Sequence, residues 1–184
     1  MLEAIETWDF RILDWIREAL RTSFLDWLMP KITLFGEMGI FWILVAAVCL
    51  LIPRCRRCGI TLSAGLFGSL LICNLLLKNL VARPRPFWIR EGMELLVKAP
   101  ADYSFPSGHT MVSVIAAVIL FRYDKRAGIP ALILAAAVAF SRLYLYVHFP
   151  SDVLAGAILG ILTAFAVIAV TDRIFRKRGE KKKV

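Results

Sequence analysis

Five apolar stretches recur along the chain, at residues 31–52, 60–81, 107–121, 127–147 and 152–171, most of them close to the length that crosses a bilayer. About 20 apolar residues span the hydrocarbon core as a helix, and backbone polar groups are satisfied there only within helices or closed barrels. A buried soluble core explains one or two such runs, but not five in succession. With 59% apolar and 20% charged residues among 184, the expected fold class is all-α, a polytopic membrane helical bundle of about five spanning helices. Residues 1–184 are read as a single membrane-integral domain. Pro30 and Pro53 bound the first stretch, and the third is short of apolar residues and opens on Pro106-Ser107-Gly108-His109. That polar start is expected among other helices or at the interface.

Residues 1–22 follow a different pattern. Leu2, Ile5, Trp8, Ile12, Trp15, Ile16 and Leu20 recur at helical spacing against Glu3, Glu6, Arg11, Asp14, Arg17 and Arg21, which predicts an amphipathic surface helix. Glu3, Glu6 and Asp9 stand where a secretory signal has basic residues, so this helix is expected to remain on the mature protein. A sixth span over residues 9–28 is opposed by their charges.

The net charge of +9 is concentrated in Arg54, Arg56 and Arg57, in Arg122, Lys125 and Arg126, and in a tail at 172–184 running from Arg173 to Lys183. Five alternating helices put these groups on one side, which the positive-inside rule makes the cytoplasm. The tail is read as a topology signal that touches anionic headgroups, so no nucleic acid is expected as a partner. The expected location is the cytoplasmic (inner) membrane, multi-pass, with the loop at 82–106, the turn at 148–151 and the N-terminal helix on the extracytoplasmic side. Arg83, Arg85, Arg90 and Lys98 in that loop work against this orientation, although Glu91, Glu94 and Asp102 accompany them. Cys49 and Cys73 lie in predicted spans and Cys55 and Cys58 in a basic turn, so no disulfide framework is read from them.

The chemistry-bearing residues fall in three groups. Lys78, with Asn74 one turn earlier on the same face, is expected to close the second helix, and Arg83-Pro84-Arg85-Pro86 follows in extended form because proline forbids continued helix. Snorkelling is the ordinary account of such cations. Ser107 can cap the third helix, whose free N–H groups and positive end suit an anion; Gly108 permits close approach, and His109 stands beside it as a proton donor. Ser141-Arg142 ends an apolar helix, and a buried arginine there needs an anionic partner. Asp152 is close enough to His148 to accept from Nδ1–H and leave Nε2 free to attack phosphorus. A His/His/Asp metal site is disfavoured, since the cations nearby repel a metal. The expected cofactor and metal complement is none.

These segments are similar to the three-part signature of the type-2 phosphatidic acid phosphatase superfamily. Lys78 through Pro86 matches Lys-x6-Arg-Pro, Pro106 through His109 matches Pro-Ser-Gly-His, and Ser141 through Asp152 matches Ser-Arg-x5-His-x3-Asp. The resemblance implies that His148 is the nucleophile, forming a phosphohistidine, that Asp152 orients it and that His109 is the acid for the leaving group. It further implies that Lys78, Arg85, Ser107, Gly108 and Arg142 bind phosphate. Arg83, outside the six-residue spacing, is left for a second phosphate or a headgroup contact. The implied partners are a lipid phosphate substrate and the bilayer. The substrate this favours is undecaprenyl diphosphate, with phosphatidylglycerol phosphate or phosphatidic acid as the alternative. A non-catalytic module that binds or moves phospholipids would need the cations but not the nucleophile and its carboxylate. Vanadate-dependent oxidation, known in distant relatives, fits an all-membrane chain poorly.

Overall fold

The structure, a computed structural model, describes residues 2–90 and 92–181, with side chains for 4–90 and 92–177. Glu91, the side chains of Leu2 and Glu3, and the end of the basic tail with Lys182 and Lys183 lie outside the described residues. Helix α1 (Leu2–Leu20) is followed by α2 (Ser23–Thr33), which Thr22 caps by accepting the Leu25 N–H. A 3₁₀ segment (Leu34–Gly39) joins α2 to α3 (Ile40–Leu51). After a turn, α4 (Arg56–Ser69) continues as a π-helical segment (Leu70–Leu77) into α5 (Lys78–Val81). The short α6 (Pro86–Ile89), with Pro86 in its first turn, precedes α7 (Gly108–Tyr123), α8 (Lys125–Tyr144) and α9 (Pro150–Lys181). There is no strand among the described residues.

Among the described residues, four runs are long and apolar enough to cross a membrane: Ser23–Leu51, Arg56–Ile89, Lys125–Tyr144 and Pro150–Lys177. The protein is therefore a polytopic, all-helical membrane protein. The remaining apolar helix, α7, has 16 residues; at 1.5 Å per residue it reaches about 24 Å, less than the hydrocarbon core. Its apolar residues continue around its circumference, which suits a helix with neighbours on every side. Met111, Ile115, Ala116, Ala117 and Ile119 are fully buried, and α4, α8 and α9 pack around them. The outer helices keep Leu44, Leu75, Ile133 and Phe165 exposed, as lipid-facing walls must.

Pro30 does not bound the first span, as the sequence suggested; it sits inside α2. Proline removes one helical hydrogen bond and bends a helix, but tertiary packing can hold the turns on either side. Here Met29 and Thr33 flank it and both are buried. The interruption comes later, where Glu37 leaves helical geometry (ψ 117°) and Met38 and Gly39 become left-handed (φ +46° and +68°).

The expected amphipathic helix is α1, docked on α8 and α9, and its apolar stripe divides in two. Leu13 and Ile16 are buried against the bundle, whereas Ile5, Trp8, Ile12 and Trp15 are exposed. Polar contacts fasten it: Asp14 accepts from the Tyr146 hydroxyl at 2.9 Å and from Arg90.

At one end of the bundle, Arg57 and Arg122 meet Asp172 at 2.6 and 3.6 Å, and Thr61 hydrogen-bonds Tyr123 and Thr171. The basic groups at the α3–α4 turn, the α7–α8 turn and the end of α9 thus share that end. The opposite end gathers the start of α7, the start of α9 and the segment that follows α5. Asp124 alone separates α7 from α8, and it caps α8 by accepting the Arg126 N–H. A Cβ at Gly128 would stand 2.1 Å from the Phe121 Cα, so Gly128→Ala has to push the two helices apart. Overpacking of this kind costs about 1–3 kcal/mol. Thermal unfolding of the detergent-solubilised protein should show a lower midpoint for that variant.

Candidate active site

The turn between α8 and α9 passes through Tyr146 at φ +59° and delivers His148 into the bundle. His148 and Asp152 are both buried. Asp152 lies in the first turn of α9, where its Oδ2 accepts the Phe149 N–H at 2.9 Å. A direct hydrogen bond to His148 was expected, but Nδ1 and Oδ2 stand 3.6 Å apart. Ser104 spans the gap: its hydroxyl donates to Asp152 Oδ2 at 2.5 Å and lies 3.4 Å from His148 Nδ1. On the other side of the ring, Arg85 Nη1 is 3.2 Å from Nε2. A guanidinium only donates, so Nε2 carries the lone pair and the proton sits on Nδ1, facing Ser104. Burial, followed by the charges of Arg85 and Arg142, holds the His148 pKa well below its ordinary value. The ring is thus a neutral imidazole at neutral pH.

Lys78, Arg85 and Arg142 face this ring and Arg83 stands behind Asp152, and three of these four cations meet carboxylates. Lys78 and Arg85 share Asp102, with Arg85 Nη2 at 2.6 Å from Oδ1. Half-burial opposes charge on Asp102, but hydrogen bonds and charge from Lys78 and Arg85 hold its pKa down at about 2. Arg85 also donates to the carbonyls of Asp102 and Val147, at 2.7 and 2.6 Å. Arg83, free for a headgroup in the sequence reading, is engaged inward. It lies 2.7 Å from Asp152 Oδ1, 2.7 Å from Asp9 Oδ2 and 2.7 Å from the Ser151 hydroxyl, over the Phe149 ring. Arg142 is the exception. It is 3% exposed, donates from Nη1 to Thr33 Oγ1 at 2.5 Å, and its buried Nε has no partner.

Lys78 lies one turn before the end of its helix, which runs to Val81 and closes at a left-handed Ala82. The π-helical segment just before it widens the helix, a feature often found at functional sites. Opposite, Ser107 caps α7, its hydroxyl turned inward to the Thr110 N–H and hydroxyl. The carbonyl of Asp152 accepts the Ser107 N–H at 3.1 Å, and a Cβ on Gly156 would lie 2.6 Å from the Ser107 carbonyl. α9 is therefore closely fitted to the start of α7. Gly108 and His109 line a cavity of about 1240 Å³ together with Lys78, Arg85, Arg142 and His148. From this polar end the cavity runs as an apolar groove between α3 and α4, past Ala47 and Phe67 to Leu50.

The structure therefore brings Lys78, Arg85, Gly108, His109, Arg142 and His148 to one cavity, with Asp152 behind the nucleophile candidate and the Ser107 hydroxyl at a helix cap. Sequence reading missed Asp9, Ser104 and Glu37, whose carboxylate lies 3.4 Å from His109 Nε2. A charge on the predicted apolar face of α1, and another inside the first apolar stretch, were the available signals for Asp9 and Glu37.

A sequence model described as the PAP2 superfamily matches residues 58–176. An undecaprenyl-diphosphatase of Sulfolobus acidocaldarius is 36% identical over 79% of this chain and 70% of its own length. A decaprenylphosphoryl-5-phosphoribose phosphatase of Mycobacterium tuberculosis is 36% identical over 74% of this chain and 75% of its own. The crystal structure of a transmembrane PAP2-type phosphatidylglycerolphosphate phosphatase from Bacillus subtilis superposes with a TM-score of 0.76 at 28% identity, covering 93% of this chain and 88% of that one.

The unpaired, buried Arg142 generates a prediction about stability. Replacing a buried charge by an apolar side chain of similar volume often stabilises, by about 1–4 kcal/mol. Arg142→Met is expected to raise the unfolding midpoint of the ligand-free protein in detergent. Inorganic phosphate should raise the midpoint of the wild type, through preferential binding to the folded state, and should raise the variant's by clearly less.

Proposed function

The chain belongs to the PAP2 superfamily of lipid phosphatases, and on that premise we propose that it hydrolyses a polyprenyl diphosphate, undecaprenyl diphosphate, through a phosphohistidine on His148. The observation that carries this reading is Arg142, a desolvated cation that lines the cavity with His148 and His109 and whose buried Nε has no hydrogen-bond partner among the described residues. Such a group is costly unless an anionic ligand completes it. The apolar groove that continues from the cavity supports a lipid tail below the phosphate, and its volume exceeds that of ordinary small-molecule pockets. Two of the relatives described above are named for polyprenyl-linked phosphates.

In the proposed reaction the terminal phosphate is held by Lys78, Arg85, Arg142 and the N–H groups of Gly108 and His109, which Ser107 leaves free by capping deeper in α7. His148 Nε2 attacks phosphorus; the N–P bond forms as the bond to the bridging oxygen breaks, and His109 gives that oxygen a proton. Water then attacks the phosphohistidine, His109 takes its proton, and inorganic phosphate leaves. The imidazolium character that develops on His148 is balanced by Asp152 through Ser104, as in hydrolases whose buried carboxylate holds a catalytic imidazole. Each preorganised cation is worth roughly 10² to 10³ in rate. No step needs a metal, and the cations around His148 and His109 would repel one.

The reading extends to the whole chain as one unit, because Asp9 on α1 holds the arginine that holds Asp152. It also puts the site on the extracytoplasmic side of the cytoplasmic membrane. The basic groups that favour the cytoplasm gather at the opposite end, and the cations of the segment after α5 turn inward, Arg83 to Asp9 and Asp152, Arg85 to Asp102. A second reading, phosphatidylglycerol phosphate as substrate, is favoured by the match to the Bacillus subtilis phosphatase over nearly the whole chain.

The test is phosphate release by purified protein in detergent and chelator, from undecaprenyl diphosphate, phosphatidylglycerol phosphate and phosphatidic acid. The first should have the highest kcat/KM; a preference for the second would transfer the assignment to phospholipid synthesis. His148→Ala should release nothing above background from any of them, and wild-type turnover in that variant would remove it as nucleophile. Asp152→Asn should lower kcat by several orders of magnitude with little change in KM, since it disturbs the tautomer more than the binding of phosphate. A change confined to KM would make Asp152 a binding residue.

A further inference from the structure

The first span contributes no residue of the three motifs, yet its backbone is broken. At Glu37–Gly39 the helix opens, and Met38, a non-glycine, adopts φ +46°. Left-handed backbone costs such a residue about 1–2 kcal/mol, and it persists where surrounding structure enforces it, characteristically at functional sites. The break lies against the start of α7. A Cβ on Gly36 would stand 2.7 Å from His109 Cδ2 and 2.9 Å from its Cβ, so Gly36 and the imidazole are in direct contact. The next residue, Glu37, turns its carboxylate to His109 Nε2 at 3.4 Å. With Cδ2 and Nε2 facing the Gly36–Glu37 wall, Nδ1 is the ring nitrogen left for a ligand.

Charge gives an independent argument. Glu37 lines the same cavity as Lys78, Arg85 and Arg142. A carboxylate there repels a phosphate, and an ionisable residue within a spanning helix calls for a functional reason. The charged and titratable groups that face His109 are Arg142 from α8, Lys78 from α5, His148 from the turn before α9 and Glu37 from the broken span. Without Glu37, an imidazolium at His109 would face the cations Arg142 and Lys78 and the neutral imidazole of His148.

We infer that Glu37 is the positioning residue of the general acid: it holds the His109 Nε2–H and stabilises the imidazolium whose Nδ1 proton goes to the leaving oxygen. The inference rests on the phosphohistidine reading and deepens it. As His148 Nε2 bonds to phosphorus and the phosphorus–oxygen bond breaks, the Nδ1 proton of His109 passes to the departing oxygen. His109 is then neutral, still bonded to Glu37 through Nε2–H, and Nδ1 is free to take the proton of the water that cleaves the N–P bond. The active site thus contains two carboxylate–histidine pairs, Asp152 with His148 through Ser104, and Glu37 with His109.

The test exploits the leaving group, in purified wild-type, Glu37→Gln, Glu37→Asp and His148→Ala proteins. A general acid is worth roughly 10² or more where the leaving alkoxide needs a proton and little where it does not. Glu37→Gln should therefore lower kcat/KM for short-chain phosphatidic acid by about 10²-fold and for p-nitrophenyl phosphate by less than about threefold. Competitive inhibition by inorganic phosphate should be retained, and Glu37→Asp should recover part of the loss. An equal loss on both substrates, or no loss on either, overturns the inference. Activity surviving in His148→Ala on both substrates would instead overturn the phosphohistidine reading, whatever Glu37 does.

Discussion

The cost of holding charge inside an apolar bundle organises this structure. Lys78, Arg83, Arg85 and Arg142 are carried into a largely apolar bundle, and none of them could stay there unsupported. Asp102 meets Lys78 and Arg85, Asp9 and Asp152 meet Arg83, and each of these contacts also joins segments remote in sequence. Arg83 links α1 to the start of α9; Arg85 links the segment after α5 to the turn carrying His148. Arg142 is the remainder. Its Nε is a buried side-chain polar atom without a hydrogen bond among the described residues.

Apolar helices alone cannot assemble such a site, because a regular helix turns each polar side chain according to its own period. The irregularities supply what the period does not. The π-helical segment rephases the helix before Lys78, two prolines hold Arg85 extended, and the left-handed break turns Glu37 toward His109. Short α7 adds to this: its N-cap Ser107 is buried within the bundle, and its apolar residues are surrounded by neighbouring helices.

This also explains what was legible in the sequence. The five apolar runs and the amphipathic α1 were readable because bilayer thickness and helical period act on long stretches. The motif residues were readable because they lie in tight local patterns around proline and glycine, where spacing translates directly into geometry. Asp9, Glu37 and Ser104 have no such pattern. Each acts across a long separation in the chain, on Arg83, His109 and Asp152, and a single polar residue in a helix or loop carries no sign of what it faces. Local rules misled at Pro30, where packing around Met29 and Thr33 overrides the proline, and at Arg83. That guanidinium was left for a second phosphate or a headgroup because it falls outside the six-residue spacing from Lys78, and in the structure two aspartates hold it inward. The His148–Asp152 spacing correctly implied proximity, but not the serine hydroxyl between them.

Burial divides the carboxylates of the site into two kinds. Asp9 and Asp152 are almost wholly buried, at 4% and 0% exposure, and their bonds to Arg83 fix the scaffold. Asp102 is half exposed on the loop before α7, and it occupies the two cations that the proposed reaction assigns to phosphate. In the proposed reaction a phosphate that enters exchanges with Asp102 at Lys78 and Arg85, whereas Arg142 holds no carboxylate in a direct ion pair among the described residues. Exchange at a half-exposed contact is inexpensive, since water can take over the carboxylate as it leaves. In the proposed reaction, Arg142 would therefore contribute most to holding the phosphate, because its desolvation is already complete, and Lys78 and Arg85 would act more on the charge that develops as phosphorus is attacked.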